Sequence, residues 1–155
     1  MALRRDLSCV LVKDTCYIRD YARVVHAENG SLMAHGGIFA VDKNNVTEIG
    51  KVIKLMLSTP LKIMSEEEYM KKLNTKELSL MLKVTKTKSY GALAKISKDV
   101  AIQFMINDNK VKFTPYKKTS SKGNMERIED KSIFAASDDE EELGQTLLQA
   151  FEISE

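Results

Sequence analysis

Hydrophobic residues follow two rhythms along this chain. Cys9 to Val12, Tyr17 to His26, VAIQFMI (Val100 to Ile106) and KVKFTPY (Lys110 to Tyr116) are short runs rich in apolar, aromatic and β-branched residues, the signature of strands. In the last run Lys110, Lys112 and Thr114 alternate with Val111 and Phe113, so one face of that strand meets water. Asn29-Gly30 marks a turn after the second run. Asn107-Asp108-Asn109 joins the last two as a hairpin, with residues that tolerate left-handed backbone. Elsewhere the apolar spacing is helical: Val46, Ile49, Ile53, Met56 and Leu57 share one face, as do Leu143, Leu147, Ala150 and Phe151.

Two segments answer each other. GIFAVDKNNVTEIGKVIKLML (Gly37 to Leu57) and SIFAASDDEEELGQTLLQAF (Ser132 to Phe151) each run from an apolar strand through a polar link into an amphipathic helix. Ile38-Phe39-Ala40 matches Ile133-Phe134-Ala135, and the link that follows is one residue shorter in the second copy. Ile49-Gly50 then matches Leu143-Gly144, Ile53 matches Leu147, and Leu57 matches Phe151. A glycine inside a helix costs about 1 kcal/mol relative to alanine. Its repetition one turn in, on the apolar side, implies that both helices need a close backbone approach to a sheet.

Between the copies the pattern is helical. Ser65-Glu66-Glu67-Glu68 reads as a capping box, Asn74 or Thr75 opens a helix with Leu78, Met81 and Leu82 on its apolar side, and a third helix covers Ser89 to Ile96. Lys117 to Met125 reads as a polar loop without core residues. The prediction is one α+β domain over residues 1–155: a mostly antiparallel sheet flanked by helices, with a pseudo-two-fold repeat of strands followed by a helix. The halves lie at about 1–60 and 97–155, with the helical connector at about 65–96.

Composition supports this reading. With 155 residues, 43% of them hydrophobic, folding buries roughly 70% of the unfolded surface, so neither a disulfide nor a metal is required. Cys9 and Cys16 are the only cysteines and are expected to be reduced, half-buried thiols. The first residues are basic, but their apolar run is too short for a signal peptide, and no stretch reaches the length of a membrane span. The expected compartment is the cytoplasm.

Catalytic patterns are missing from the sequence. The two histidines, His26 and His35, have no carboxylate or thiol at a metal-site spacing. His35-Gly36-Gly37 resembles the oxyanion loop of some esterases, but no G-x-S-x-G elbow accompanies it. No cofactor is expected, and the expectation is that the protein is not an enzyme.

Charge is more informative. From Lys83 to Gly123 there are ten lysines against Asp99 and Asp108, and from Asp138 to Glu155 seven acids and no base. The formal net charge of +2 thus hides two opposed fields. A helix start draws a stabilising interaction from two or three acids, with Ser137, Asp138 or Asp139 as the cap; in the first copy Asn45 and Glu48 fill these places. The run Asp138, Asp139, Glu140, Glu141, Glu142 exceeds that need, which points to a basic partner. The lysine-rich stretch offers a nucleic-acid-binding alternative, although it contains no arginine.

The run KTKSYGALAKISKDVAIQFMINDNKVKFTPYKK, followed by SDDEEELGQTLLQAF, resembles the immunity proteins of bacterial contact-dependent growth inhibition systems. The shared features are Thr87-Lys88 with Leu93 and Ile96, Thr114-Pro115 in the second hairpin, and the acidic start from Asp138 leading into Leu143-Gly144. Tyr17 to Asp20, a glycine-containing link and the first Ile-Gly helix ending at Ser58 extend the resemblance from about Tyr17 to Glu155. It implies a cytoplasmic antitoxin that binds the C-terminal domain of a delivered toxin. Such toxins are commonly nucleases, often tRNA-cleaving, and some need elongation factor Tu, which this protein would meet through the toxin. The resemblance carries over no binding motif. The partner-contact residues expected from charge alone are Asp138, Asp139, Glu140, Glu141 and Glu142, with Glu66, Glu67 and Glu68. No direct nucleic-acid or membrane contact belongs to this reading.

Overall fold

The computed structural model describes residues 6–24, 32–60, 62–65, 67–68, 71, 80–120 and 122–155. Among these the chain order is β1 (Asp6–Val12), β2 (Thr15–Val24), β3 (Leu32–Asp42), α1 (Val46–Ser58), β4 (Lys62–Met64), α2 (Leu80–Thr85), α3 (Tyr90–Ile96), β5 (Ser97–Met105), β6 (Lys110–Lys118), β7 (Met125–Arg127), β8 (Ile133–Ala136) and α4 (Glu140–Ile153). The architecture is α+β. One sheet runs β3-β2-β1-β5-β6-β7, with β4 beside the far end of β2 and β8 beside the start of β6. Every pairing is antiparallel except that of the three-residue β4.

The register shows the repeat. Directly opposed residues share a face of an antiparallel sheet. Ile18 on β2 lies between Cys9 of β1 and Phe39 of β3, while Phe113 on β6 lies between Ile102 of β5 and Ile133 of β8. Across the centre, Cys9 faces Val100 and Leu7 faces Ile102. A pseudo-two-fold axis therefore passes between β1 and β5, relating β1-β2-β3-α1 to β5-β6-β8-α4. Both helices lie on this inner face, where Ile49, Ile53, Leu143, Leu147 and Phe151 close the core over Ile18, Ile102 and Phe113. Full burial of such side chains stabilises the fold by roughly 1.5–3 kcal/mol each.

The two glycines explain how the helices meet. A Cβ on Gly50 would overlap the backbone carbonyl of Glu140, the first residue of α4, and one on Gly144 would overlap the carbonyl of Val46, the first residue of α1. Each helix thus rests its glycine on the other's first turn. The close approach expected from sequence is helix to helix rather than helix to sheet.

Three expectations change in detail. Ile38 opposes Arg19 on the outer face, whereas Ile133 opposes the buried Phe113 on the inner face, so the Ile-Phe-Ala match is one residue out of structural step. Val41 and Ala135 are the true equivalents, since each is buried and next to the link into its helix. The links 43–45 and 137–139 have equal length. A slip of one residue in a strand reverses its faces, so letter identity misled where side-chain direction decides. Second, Asn45 holds the N-cap position of α1 without a side-chain cap bond; instead Asp42 Oδ1 accepts from the Asn44 N–H at 2.8 Å. Third, the thiols of Cys9 and Cys16 are fully buried rather than half-buried, and burial raises the pKa of Cys9.

His35, Gly36 and Gly37 belong to β3, at the irregularity where Asp20 alone spans the gap between the Arg19–Ile38 and Tyr21–Ala34 pairs. A glycine in a strand often marks such a bulge. His26 and the Asn29-Gly30 turn lie outside the described residues. The hairpin at Asn107-Asp108-Asn109 forms as expected, with Asn109 left-handed at φ 51°. In the connector, Ser65 Oγ accepts from the Glu68 N–H at 3.2 Å and Ser89 caps α3 by accepting from the Ala92 N–H at 3.1 Å. The predicted helix start at Asn74 or Thr75 and Leu78 lie outside the described residues, while Met81 and Leu82 are buried as expected.

Candidate partner-binding surface

The outer face of the sheet is treated differently in its two halves. Over the first half, α2 and α3 set Met81, Leu82 and Leu93 against Val10, with Val12, Tyr17 and Ile38 at the margin. Over the second half the opposed residues form polar rows. One row runs Asp6, Gln103, Lys112, Phe134 across four strands. Gln103 Nε2 donates to Asp6 Oδ1 at 3.2 Å, Lys112 Nζ to Glu129 Oε2 at 3.0 Å, and Phe134 ends the row half exposed. In the next row Thr114 and Ser132 hydroxyls are 2.9 Å apart. Pro115, which has no N–H to give, sits where the outer neighbour of β6 changes from β8 to β7, and its carbonyl accepts from the Ile128 N–H at 2.8 Å.

Where the halves meet, a cleft of about 40 Å³ opens between Val10, Arg19, Asp99, Tyr90, Leu93 and Met125. This is room for a few waters or the tip of one side chain. Asp99 is buried on β5, and burial raises its pKa against the opposing pull of Arg19, Lys118 and a hydrogen bond from Ser97. Lys118 reaches the Ser97 carbonyl; its pKa is lowered by burial and held up by Asp99. Arg19 Nε donates to Ser8 Oγ at 2.8 Å. The loop before β7 closes the cleft: Gly123, at φ 94°, lies so close to the Tyr90 carbonyl that a side chain there would meet it. Residues 117–125 thus contribute a wall, through Gly123 and Met125, where a plain polar loop was expected.

The acids singled out from sequence fall into two groups, and no polar contact joins them among the described residues. Asp139 is the N-cap of α4, accepting from the Glu142 N–H at 3.0 Å, and Glu142 Oε2 accepts from the Ala136 N–H at 3.1 Å. Glu140 lies 4.0 Å from Lys54 on α1, and Glu141 accepts from Gln145 Nε2 at 3.2 Å. Asp138 is exposed and makes no polar contact among the described residues. Four of the five acids therefore have local work, although all but Glu140 remain exposed. Glu67 and Glu68 are exposed, and Glu66 lies outside the described residues.

The lysines also separate. Lys112 and Lys117 pair with Glu129 and Glu126, the latter at 3.8 Å, and Lys118 turns into the sheet. Both acids come from a segment beyond the lysine-rich stretch, so this neutralisation could not be read from the stretch alone. Arg19 and Asp99 were not picked out from sequence either, because only the β1–β5 pairing brings them together. Among the described residues no three His, Cys, Asp or Glu side chains gather to hold a metal ion, and no helix is long and apolar enough to cross a membrane.

No protein-family model and no curated protein matches the sequence. Two solved structures share the fold. A protein of unknown function from Neisseria meningitidis aligns with TM-score 0.73 over 97% of this chain and 95% of its own, at 13% identity. A chain of the CdiA-CT/CdiI toxin and immunity complex from Yersinia pseudotuberculosis aligns with TM-score 0.69 over 97% of both chains, at 12% identity. The chain thus has the same fold, over nearly its whole length, as one component of a toxin and immunity complex.

Proposed function

We propose that this protein is the immunity protein of a contact-dependent growth inhibition system. It binds the C-terminal domain of its cognate toxin, a nuclease for which tRNA is one candidate substrate, and blocks the toxin's active site or substrate surface. The observation that carries this reading is the end-to-end fold likeness to a chain of a toxin and immunity complex, joined to the sequence pattern from Tyr17 to Glu155. The inhibitor side of such a complex is favoured by the outer face. There Lys112 is bound to Glu129, Arg127 stacks over Tyr116 at 6.0 Å, and the cleft at Asp99 takes a side-chain tip rather than a nucleotide.

In this reading the protein acts in the cytoplasm, needs no cofactor, performs no turnover, and meets elongation factor Tu only through the toxin. The acids of α4 steer the encounter with a basic toxin face, since complementary fields act mainly on association rate. Asp139 and Glu142 hold the helix start, so the informative change is reversal of Asp138 and Glu141 to lysine. Association should slow, and its salt dependence should flatten. An unchanged rate would remove the acids from the encounter.

The test of the function itself is co-expression with the toxin fragment encoded immediately upstream. Growth should be restored, and the two proteins should co-purify as a stoichiometric complex. Continued killing with both proteins soluble would refute the proposal. Retention of single-stranded RNA at near-physiological salt by the purified protein would favour the nucleic-acid reading instead.

A further inference from the structure

With Lys112, Lys117 and Lys118 engaged, a group of exposed lysines remains on α3 and in the turn that leads into it. Lys86, Lys88 and Lys95 are exposed there and form no ion pair among the described residues. No acid interrupts the sequence from Leu80 to Lys98. The same surface carries large exposed apolar side chains: Val84 on α2, and Tyr90 and Ile96 at the two ends of α3. Tyr90 is 49% exposed yet also lines the cleft, so the cleft mouth opens beside it. At the cleft floor Arg19 stands near Asp99, and Gly123 packed on the Tyr90 carbonyl fixes the wall.

This combination has a chemical meaning. Pure polyanion binding needs cations alone and profits from exposed arginines and from stacked aromatics, whereas the exposed part of this surface has lysine and a single tyrosine, Arg19 lying in the cleft beside Asp99. Exposed apolar groups ringed by unpaired lysines, beside a slot of side-chain size, are what a protein interface uses: an anchor residue in a pocket with charge complementarity around it.

We infer that the α2–α3 surface, with the adjoining cleft mouth, is the docking site for an acidic segment of a protein partner, which passes beside Tyr90 with its carboxylates held by Lys86, Lys88 and Lys95. In the immunity reading, on which this inference rests, that segment belongs to the toxin. The acids of α4 lie on the opposite face of the sheet and steer from a distance, while this site makes the contact.

The test begins with the intact protein and two probes, acetylated hexaglutamate and oligothymidylate, each titrated into the 15N-labelled chain at about 150 mM salt. The peptide should shift amides of α2, α3 and Gly123 in a saturable manner. The K86E/K88E/K95E variant, altered only at exposed positions, should bind it at least about tenfold more weakly. A peptide that moves none of these amides, or an oligonucleotide that binds them more tightly than the peptide, overturns the docking site. Toxin co-expression separates the two claims. If the wild-type protein protects and the triple variant protects equally well, the site is wrong and the function stands. If the wild-type protein fails to protect, the immunity reading falls and the peptide titration alone decides the surface.

Discussion

The two halves of the sheet are alike where they meet α1 and α4 and unlike on the other side. On the inner face Ile18 and Phe113 occupy equivalent places, with equivalent neighbours on both flanking strands. On the outer face the first half is roofed by α2 and α3, while the second carries the Asp6–Gln103–Lys112–Phe134 row and the short β7. The shared face sets the fold; the unshared one is free to differ, and the proposed docking site lies there. Binding residues are commonly carried on segments that a rigid scaffold positions.

The equivalence can be broken most sharply at the glycines. Gly50→Ala and Gly144→Ala each drive a methyl group into a backbone carbonyl that cannot rotate away. Each should cost about 3 kcal/mol or more in urea unfolding, despite alanine's better helix propensity of about 1 kcal/mol. Loss of stability at one glycine alone would show that the halves are not equivalent where the helices cross.

The helix starts should differ by less. Asp139→Ala removes a cap bond and should cost about 1 kcal/mol, while Asn45→Ala, at the matching place without such a bond, should change stability by only a few tenths. Equal losses would mean that Asn45 caps α1 in solution.

The smallest effect is one of slope, and it belongs to the seam between the halves. Asp99 has a folded-state pKa above its unfolded one, because burial outweighs Arg19, Lys118 and Ser97. Its contribution to stability is therefore fully present below the unfolded value of about 3.9 and is lost as pH rises through the folded value. The difference in unfolding free energy between the wild-type protein and Asp99→Asn should thus fall steadily over that window. A difference independent of pH would place the Asp99 carboxylate in water.

Much of the scaffold was legible because it depends on local pattern. The 3.6-residue spacing of Ile49, Ile53, Leu143 and Leu147 and the glycine beside each first apolar residue identified both helices and their kinship. Ser65 was legible as a cap and Asp139 as one of three candidates with Ser137 and Asp138, since a cap bond spans only three residues; Ser89, read as the first residue of its helix, is its cap. The strand match failed by one position because Ile38 and Ile133 share a letter but not a face. The surface was less legible. Lys112 and Lys117 looked like free charge until the fold delivered Glu129 and Glu126 beside them, and the run at Asp138 looked like surplus until the fold supplied Lys54 and the Ala136 N–H. Arg19 and Asp99 meet only through the pairing of β1 with β5, strands about ninety residues apart in the chain.

That central pairing has a kinetic consequence. While the ribosome is still making the connector, β1 has β2 on one flank and an open row of amides and carbonyls on the other, and α1 lacks the helix its glycine was shaped for. Closure of so distant a contact is slow relative to hairpin formation. The nascent first half must therefore wait, as an exposed edge liable to pair with the wrong strand, until the chain has emerged well past Met105.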